Sequence, residues 1–283
     1  MLNGCAYILT VDVGNTFIRF GLFAEDSAAA QECPLATCEI TTPSSITADE
    51  ARMRLAQVMG ALAADAGMPG ALVPAAAVLS CVVPALERPW KVALSRTCTG
   101  RVLTVGPGLK TGMPVHYDDP AEIGPDRIAD AVAARAVYGS PCIVIDLGTT
   151  TNIEVIDTHG TFVGGVIAPG LALGARSLSA AAARLPQVEP SAPTHVIGRN
   201  TREAMRSGVV LGEVARIDGM LDMVLAEMRA TKAAGEGDVP IVITGDDAEA
   251  LAALVGHSLT VDDALTLRGL AELYHINQKP RRA

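Results

Sequence analysis

Two short stretches of the chain repeat one pattern: an acid, any residue, a glycine, a polar residue and a threonine. They read DVGNT at 12–16 and DLGTT at 146–150, and apolar, strand-like runs flank both. A glycine at the tip of a hairpin exposes backbone N–H groups that can hold phosphate oxygens. Phosphate would repel the carboxylate just before that glycine, but a cation or a metal-bound water can bridge the two. The pair of turns predicts a site that holds one polyphosphate from both sides.

Each turn taken alone also fits an ordinary glycine-containing hairpin, so the prediction of a phosphate site depends on the repeat. The two common phosphate motifs are missing from the chain. The sequence contains no G-x-x-x-x-G-K-[ST], and no G-x-G-x-x-G opens a helix.

The composition favours an α/β protein that binds a small molecule. The chain has 283 residues, of which 49% are hydrophobic but only 3% aromatic, so Ala, Val, Leu and Ile supply the core. A net charge of −9 argues against a nucleic-acid-binding surface, which needs a basic patch. The sequence shows no signal peptide, no apolar run long enough for a membrane span, and no zinc spacing among its cysteines. We expect a cytoplasmic protein with free thiols and with no nucleic-acid or membrane partner.

The two turns begin two similar halves of the chain. In each half the residue pattern predicts a strand, the acid–glycine turn, two strands, a helix, a strand and a helix, as a duplication would produce. Glycine and proline interrupt residues 106–125, so we place the boundary there and expect domains at 1–115 and 116–283. The strand at 239–246 is expected to be the last one. The final helix, about 264–278, is a candidate to pack back on the first domain.

Several segments, in order along the chain, resemble motifs of the type III pantothenate kinases. DVGNTFIRFGLF and IDLGTTTN are similar to the two phosphate loops of that family, and GPDR at 124–127 is similar to its Gly-x-Asp-Arg signature. GGVIAPGL and IGRNTREAMRSGVVLG resemble later motifs. The family belongs to the acetate-and-sugar-kinase/heat-shock-70/actin superfamily. The resemblance implies an α/β fold of two duplicated ribonuclease-H-like (actin-like) domains, each a mixed β-sheet with flanking helices, with a cleft between them.

The resemblance also implies an activity: ATP-dependent phosphorylation of pantothenate on its 4′-hydroxyl, the first step toward coenzyme A. By motif position, Asp126 would be the general base on that hydroxyl, where placement matters more than basicity. The residues implied to bind ATP are Asp12, Val13, Gly14, Asn15, Thr16, Phe17, Ile18, Arg19 and Thr149. The residues implied to bind pantothenate are Tyr117, Gly124, Pro125, Asp126, Arg127 and Thr201.

Further expectations about ions and assembly come from the same resemblance. Asp146 would bind a monovalent cation, K⁺ or NH₄⁺, beside the Mg²⁺ that ATP carries. A homodimer is expected, with the pantothenate pocket completed by the partner. Arg127 would bind the pantothenate carboxylate or a phosphate, because the guanidinium geometry suits both.

Several of these residues also have a plainer reading. Asp126 and Arg127 fit the first turn of a helix, where an acid favours the helix dipole. Thr201 alone fits a helix N-cap, Tyr117 fits loop packing, and Asp146 fits an ordinary acid at a strand end. Two alternatives for the whole chain stay open. One is a non-catalytic or regulatory relative that keeps the fold, and the other is a different enzyme of the superfamily, such as a polyphosphatase or a sugar kinase.

The chain departs from the family pattern at three positions. Where relatives show a run like Gly-Thr-Ala-Thr-Thr-Phe-Asp, this chain has Asn152 for the last threonine and Glu154 for the aspartate. The late strand of relatives usually ends Thr-Gly-Gly, and here Asp246 stands for the second glycine. A side chain at 246 could crowd the adenine side, which affects the expected nucleotide affinity more than the chemistry.

Overall fold

The computed structural model describes residues 6–25, 32–68 and 72–278. The strands are β1 (Tyr7–Val13), β2 (Phe17–Ala24), β3 (Ala36–Thr41), β4 (Ala76–Cys81), β5 (Val102–Thr104), β6 (Cys142–Leu147), β7 (Thr150–Ile156), β8 (Phe162–Pro169), β9 (Ile241–Gly245) and β10 (Thr260–Val261). The α-helices are α1 (Ala48–Asp65), α2 (Pro84–Thr97), α3 (Pro125–Tyr138), α4 (Leu171–Ala181), α5 (Thr201–Arg206), α6 (Gly212–Ala230), α7 (Ala248–Ala252) and α8 (Leu265–Ile276). A 3-10 helix covers Pro120–Glu122, and a π-helical segment, Ser207–Leu211, joins α5 to α6.

The chain divides into two compact units. Unit 1 comprises Met1–Val137 and Ala264–Ala283, and unit 2 comprises Tyr138–Asp263. Residues 116–137, which the sequence analysis assigned to the second domain, therefore belong to unit 1. The physical reason is a close helix crossing in that unit, where a Cβ on Gly269 of α8 would collide with the backbone of Ala129 in α3. α8 itself contacts β1, β2 and β4.

Each unit contains one mixed five-stranded sheet, and the two sheets have the same strand order. The order is β3-β2-β1-β4-β5 in unit 1 and β8-β7-β6-β9-β10 in unit 2. In both sheets the first three strands are antiparallel neighbours, and the last two join in parallel. The predicted repeat of one plan is confirmed, and so is the predicted α/β class with two duplicated domains.

Unit 2 contains two elements that the sequence analysis missed. α7 and β10 follow β9, so the prediction that β9 is the last strand is wrong. β10 has only two residues, which is too few for an alternating pattern to be seen in the sequence. Its position is set by parallel pairing with Val242 and Ile243 of β9.

Local sequence signals explain where the helices begin and end. The hydroxyl of Thr47 accepts a hydrogen bond from the N–H of Glu50, and the Glu50 carboxylate accepts one from the N–H of Thr47, so a capping box starts α1. Pro125 is the first residue of α3, where its fixed φ and missing N–H suit the helix start. α3 ends before Gly139, whose φ is 83°. These signals place Asp126 in the first turn of α3.

Strand alternation puts the two repeated acids on corresponding faces of their sheets. In unit 1, Leu9, Val11 and Val13 pack in a hydrophobic cluster with residues of α1 and α2. In unit 2, alternate residues of β6 from Ile143 to Leu147 pack with residues of α6. Asp12 and Asp146 therefore lie on the opposite face of each sheet from the main hydrophobic cluster.

The five described cysteines are all free thiols, while Cys5 lies outside the described residues. Among the helices that the structure describes, none is long and apolar enough to cross a lipid bilayer.

Candidate active site

The first acid–glycine turn connects β1 to β2. The N–H of Gly14 donates to the carbonyl of Phe17 at 3.0 Å, which closes the hairpin. Thr42, just after β3, fixes the turn from the side, since its hydroxyl donates to the Gly14 carbonyl at 2.8 Å and its N–H to the Thr16 carbonyl at 2.9 Å. Asn15 and Thr16 are exposed at the tip, where a ligand can reach them. The sequence-predicted turn is thus held rigidly at its base and open at its end.

Asp12 lies near the end of β1, level with Arg19 on β2 and Ser80 on β4. The residue is only 8% exposed. Burial and, next, the charge of Asp126 raise the pKa of Asp12 to about 6, against the opposing effects of Ser80 and Arg19. The Oδ1 atom of Asp12 is buried and has no hydrogen-bond partner among the described residues. A buried carboxylate oxygen without a partner is suited to a cation or a metal-bound water.

Asp126 lies in the first turn of α3 in the same unit. Its Oδ1 accepts a hydrogen bond from the N–H of Arg127 at 2.8 Å. Burial raises the pKa of Asp126 above its ordinary value, opposed by that N–H and by the Arg127 guanidinium. A side chain at Gly124 would collide with Oδ1 of Asp126, so glycine at 124 leaves room for the carboxylate. Because the charge of Asp126 raises the pKa of Asp12, the two carboxylates lie close enough to interact.

A cavity of about 400 Å³ opens beside the start of α3. This volume is in the range of small-molecule sites. Its lining is mainly apolar and includes Cys81, Val105, Leu109, Met113, Pro125 and Ile128. Pro125 directly precedes Asp126 in the chain, so this wall of the cavity adjoins the first turn of α3, which carries Asp126.

The remaining sequence-predicted residues of unit 1 differ in what they can offer a ligand. Val13 and Ile18 are fully buried, so only their backbone groups could contact ATP. The guanidinium of Arg19 lies 6.0 Å from the ring centre of Phe17, and its Nε donates to Glu39 at 3.0 Å. These two interactions hold the Arg19 side chain against Phe17 of β2 and Glu39 of β3, next to the first turn.

Arg127 and Tyr117 complete the sequence-predicted set in unit 1. Arg127 is only 5% exposed, so it is buried although it lies in the first turn of α3. Tyr117 is half-buried in the irregular segment before the 3-10 helix. The glycine- and proline-rich stretch therefore leads the chain from Tyr117 to Asp126 within one unit.

The second acid–glycine turn connects β6 to β7 in unit 2. The N–H of Gly148 donates to the Thr150 carbonyl at 3.0 Å, and the N–H of Gly170 donates to the Thr149 carbonyl at 3.1 Å. A Cβ on Gly170 would collide with the Gly148 carbonyl and lie 2.8 Å from that of Thr149. The GGVIAPGL motif thus supplies a glycine that packs directly on the turn.

Asp146 lies between two polar residues of neighbouring strands, Asn152 on β7 and Thr244 on β9. Asn152 is 6% exposed, and its Oδ1 is buried with no hydrogen-bond partner among the described residues. Gly245 has a φ of 91°, and a Cβ there would lie 2.8 Å from Oδ1 of Asp146. Because residue 245 has no side chain, space remains beside the Asp146 carboxylate. Asp146 and Asn152 are paired across neighbouring strands, so their side-chain oxygen atoms face the same side of the sheet.

The structure clarifies the other two departures from the family pattern. Glu154 is fully buried on the same face of β7 as Asn152. Asp246 is half-buried, and its N–H donates to the Leu147 carbonyl at 2.6 Å. Among the described non-glycine residues, positive φ occurs at Lys232 and Asp247 but not at Asp246. The backbone at position 246 therefore does not require a glycine.

Thr201 is exposed and is the first residue of α5 in unit 2. The plainer reading of Thr201 as an N-cap is wrong, because the cap is Asn200, whose Oδ1 accepts from the N–H of Glu203 at 3.0 Å. The Thr201 side chain is therefore not needed to cap the helix.

The sequence analysis missed two polar contributions to these sites. Ser80, opposite Asp12, is fully buried, and the available signal was a single hydroxyl in the apolar strand AAVLSC. In unit 2, the hydroxyl of Thr151 donates to Oε1 of Glu213 at 2.7 Å, and Arg216 contacts the other oxygen of that carboxylate. Glu213 lies in the first turn of α6, so this pair fixes the helix to the strand that follows the second turn.

Comparison with known proteins gives one consistent family. The sequence model of the family described as type III pantothenate kinase matches residues 8–223. A type III pantothenate kinase from Koribacter versatilis is 37% identical over 279 residues, covering 97% of this chain and 97% of its own. One from Nocardia farcinica is 39% identical over 279 residues, covering 97% of this chain and 99% of its own. A type III pantothenate kinase 2 from Symbiobacterium thermophilum is 39% identical over 274 residues, covering 96% of this chain and 97% of its own.

Solved structures support the fold at lower sequence identity. A conserved Baf family protein from Campylobacter jejuni superposes with a TM-score of 0.56 at 18% identity, covering 95% of this chain and 98% of that one. The ethanolamine utilization protein EutJ from Carboxydothermus hydrogenoformans gives a TM-score of 0.53 at 16% identity, covering 94% and 89%. At these identities the likeness concerns the fold alone.

Proposed function

The chain belongs to the type III pantothenate kinase family, and from that premise we propose that Asp126 is the general base on the 4′-hydroxyl of pantothenate. Family membership establishes the reaction, which is ATP-dependent phosphorylation of pantothenate in the first step of coenzyme A biosynthesis. The observation that carries the residue assignment is the half-buried Asp126 carboxylate, whose pKa is raised and which directly follows Pro125, a lining residue of the cavity in unit 1. A raised pKa makes a carboxylate a better proton acceptor.

The pantothenate site that we propose is the cavity beside α3. Its apolar lining suits the dimethyl-bearing part of pantothenate, and its edge at Pro125 brings the hydroxyl end toward Asp126. Arg127 would bind the substrate carboxylate or a phosphate, and Tyr117 and Gly124 would complete the site in unit 1. For Gly124 the role is supported by the contact it allows, since any side chain there would displace the Asp126 carboxylate. Thr201 is exposed on α5 and has no capping duty, so its hydroxyl can serve a substrate.

Each acid–glycine turn is proposed to bind phosphate oxygens of ATP through backbone N–H groups. In the first turn these are the exposed Asn15 and Thr16, with Arg19 beside them to offset phosphate charge. In the second turn Thr149 takes the corresponding role. The buried, unpartnered Oδ1 of Asp12 fits a contact with Mg²⁺ or its water, and that ion would neutralise charge on the phosphates.

A monovalent cation, K⁺ or NH₄⁺, is proposed at Asp146. Two observations fit this ion: the unpartnered, buried Oδ1 of Asn152 on the same face, and the space that Gly245 leaves at the Asp146 carboxylate. The cation would supply positive charge near the second turn.

We also propose a cytoplasmic homodimer in which the partner completes the pantothenate pocket. Unit 2 exposes large apolar side chains, with Val196 at 73%, Ile197 at 83% and Ile167 at 61% of full exposure. Val196 and Ile197 are adjacent in the chain, and neighbouring exposed apolar side chains are typical of surfaces that another protein covers. Light scattering after size exclusion would give the mass directly, and a monomer of 29.2 kDa would contradict the dimer.

The alternative of a non-catalytic relative has no support in this chain. The residues that a silent relative would be expected to lose, Asp12, Asp126, Arg127 and Asp146, are all present. The departures at 152 and 246 leave the backbone of the second turn and of the β9 end intact, as the hydrogen bonds of Gly148 and Asp246 show.

The experiment that tests the base assignment compares Asp126→Asn with Asp118→Asn, an exposed acid in the same loop region. Loss of a general base lowers kcat by about 100- to 10,000-fold. A coupled assay with pantothenate, ATP, Mg²⁺ and K⁺ would measure turnover, and calorimetry would measure ATP affinity, which should change little. Near-normal turnover of Asp126→Asn with an intact circular dichroism spectrum would remove the assignment while leaving the family activity in place.

A further inference from the structure

Unit 2 contains a second cavity whose lining, among the described residues, includes none of those assigned to ATP or pantothenate. Its volume is about 500 Å³, which is large enough for a metabolite of nucleotide size. The lining consists of Ala175, Arg176, Ser179, Gln187, Val188, Glu189, Arg202 and Arg206. Three arginines and one glutamate give this surface a net charge of about +2, in a chain whose net charge is −9.

The secondary structure explains why the three arginines meet. Arg202 is the second residue of α5 and Arg206 is its last, so the two are four residues apart and project from one face of the helix. Arg176 and Ser179 are three residues apart on α4, and α4 packs against the π-helical segment that continues α5. The segment after α4 closes the cavity, since the carbonyl of Gln187 accepts a hydrogen bond from Arg202 at 3.2 Å.

No carboxylate forms a close ion pair with the arginines of this cavity among the described residues. No carboxylate oxygen of the described residues lies within 4.0 Å of the side-chain nitrogens of Arg176, Arg202 or Arg206. Glu203, the acid between two of them in sequence, accepts a hydrogen bond from the N–H of Arg199 at 3.0 Å and interacts with Arg206 only through longer-range charge attraction. The Nε of Arg206 is buried with no hydrogen-bond partner among the described residues.

Such an arrangement is unfavourable without a ligand. Like charges four residues apart on a helix repel each other, and a buried N–H without a partner loses the hydrogen bonds it made in water. An oxyanion with several negative oxygens would remove both penalties, because a guanidinium binds phosphate through paired N–H groups. The remaining lining, Ala175 and Val188 with Ser179 and Gln187, leaves room for an uncharged part of the molecule.

We propose that the cavity between α4 and α5, lined by Arg176, Arg202 and Arg206, is a binding site for a phosphate-bearing small molecule, separate from the ATP and pantothenate sites. This inference does not depend on the roles proposed for the catalytic residues. The class of ligand follows from three guanidinium groups without a close carboxylate partner around a cavity of about 500 Å³.

The test uses inorganic pyrophosphate as the probe and the full chain saturated with a non-hydrolysable ATP analogue, so that the acid–glycine turns are occupied. Calorimetry at fixed ionic strength should show one pyrophosphate bound per chain. Each charge-assisted hydrogen bond contributes enough that the double variant Arg202→Gln with Arg206→Gln should weaken binding by at least about tenfold. Arg229→Gln, an exposed arginine in the last turn of α6, is the matched control and should change the affinity less than about twofold.

Three results would overturn the proposal. The first is the absence of a binding event in the analogue-saturated protein, as expected if a second copy of the chain covers the cavity. The second is equal weakening by Arg229→Gln and by the double variant, which would mean unspecific attraction. The third is citrate binding as tightly as pyrophosphate, which would remove the assignment to phosphate. Unchanged circular dichroism of the variants shows that the comparison concerns binding and not folding.

Discussion

Replacing Asp12 by asparagine should stabilise the ligand-free protein and at the same time abolish phosphoryl transfer. Burial, aided by the charge of Asp126, raises the pKa of Asp12 from an ordinary 3.8 to about 6. Each pKa unit corresponds to about 1.4 kcal/mol, so the ionised carboxylate destabilises the folded state by about 3 kcal/mol at neutral pH. Asparagine has nearly the same shape without the charge, so it should recover up to that amount. Its neutral oxygen would be a poor partner for a cation, and activity should be lost.

The pH dependence of this gain has a definite sign. Between pH 4 and pH 6 the folded state binds the Asp12 proton more tightly than the unfolded state does, because the folded pKa is the higher one. The destabilisation by Asp12 is therefore fully present above about pH 6 and decreases as the pH falls toward 3.8. At pH 5 about half of it should remain, so the advantage of Asp12→Asn should shrink from about 3 kcal/mol at pH 8 to about 1.5 kcal/mol.

The fold supplies a reporter for this measurement. Trp90 is the single tryptophan of the chain, is fully buried, and packs against Phe20 in the core of unit 1, where the centres of the two rings lie 5.6 Å apart. Its fluorescence during urea unfolding therefore follows the unit that contains Asp12. Urea titrations at pH 8 and pH 5, without ATP or Mg²⁺, give the change in free energy of unfolding of this unit.

Asp118→Asn, at an exposed position of unit 1, is the control and should change the stability by less than about 0.5 kcal/mol. A loss of stability in Asp12→Asn at pH 8 would refute the reasoning. So would a gain that is the same at both pH values, because the gain would then not come from the ionisation of a buried carboxylate.

Three further predictions concern the neighbours of the two acids. Arg19→Gln removes a cation that lowers the pKa of Asp12. A ¹³C NMR titration of the Asp12 carboxylate in the ligand-free variant should therefore give a pKa above about 6. An unchanged pKa of Asp12 would contradict the interaction between Arg19 and Asp12. Gly124→Ala should lower kcat by at least about tenfold with little change in ATP affinity, because the added methyl group would displace the carboxylate of Asp126. Normal turnover of this variant would refute the close contact between position 124 and Asp126. Asn152→Leu should remove at least about half of the rise in melting temperature that K⁺ produces over Na⁺ at equal ionic strength. Thr151→Val, on the opposite face of β7, should lower the melting temperature but keep the rise that K⁺ produces over Na⁺. A K⁺ effect that is kept in Asn152→Leu and lost in Thr151→Val would contradict the cation site.

The sequence was sufficient for the main features of this fold. The duplicated strand–turn–strand plan could be read because hydrophobic periodicity and glycine turns are local signals, and both halves show them at Asp12 and Asp146. The signals that start α1 at the capping box of Thr47 and α3 at Pro125 are also local, so both helix starts can be read from a few neighbouring residues. The residues of the turns and the Gly-x-Asp-Arg segment identified the family on their own.

Other features depend on contacts between segments that are distant in sequence. The boundary of unit 1 is set by the packing of α3 against α8 at Gly269, which no local pattern reveals. The two residues of β10 form a strand because they pair with β9, and they are too few to show a strand pattern in the sequence.

The chemical state of the site also needs the tertiary structure. The sequence determined that acids, glycines and hydroxyls would stand at the ends of β1 and β6, because strand and turn preferences act over a few neighbouring residues. Only the folded chain decided that Asp12 would be buried, level with Arg19 and Ser80 and within reach of the charge of Asp126, and so acquire a pKa of about 6. Burial and charge proximity depend on through-space distance, and folding brings together residues that are 114 positions apart at 12 and 126.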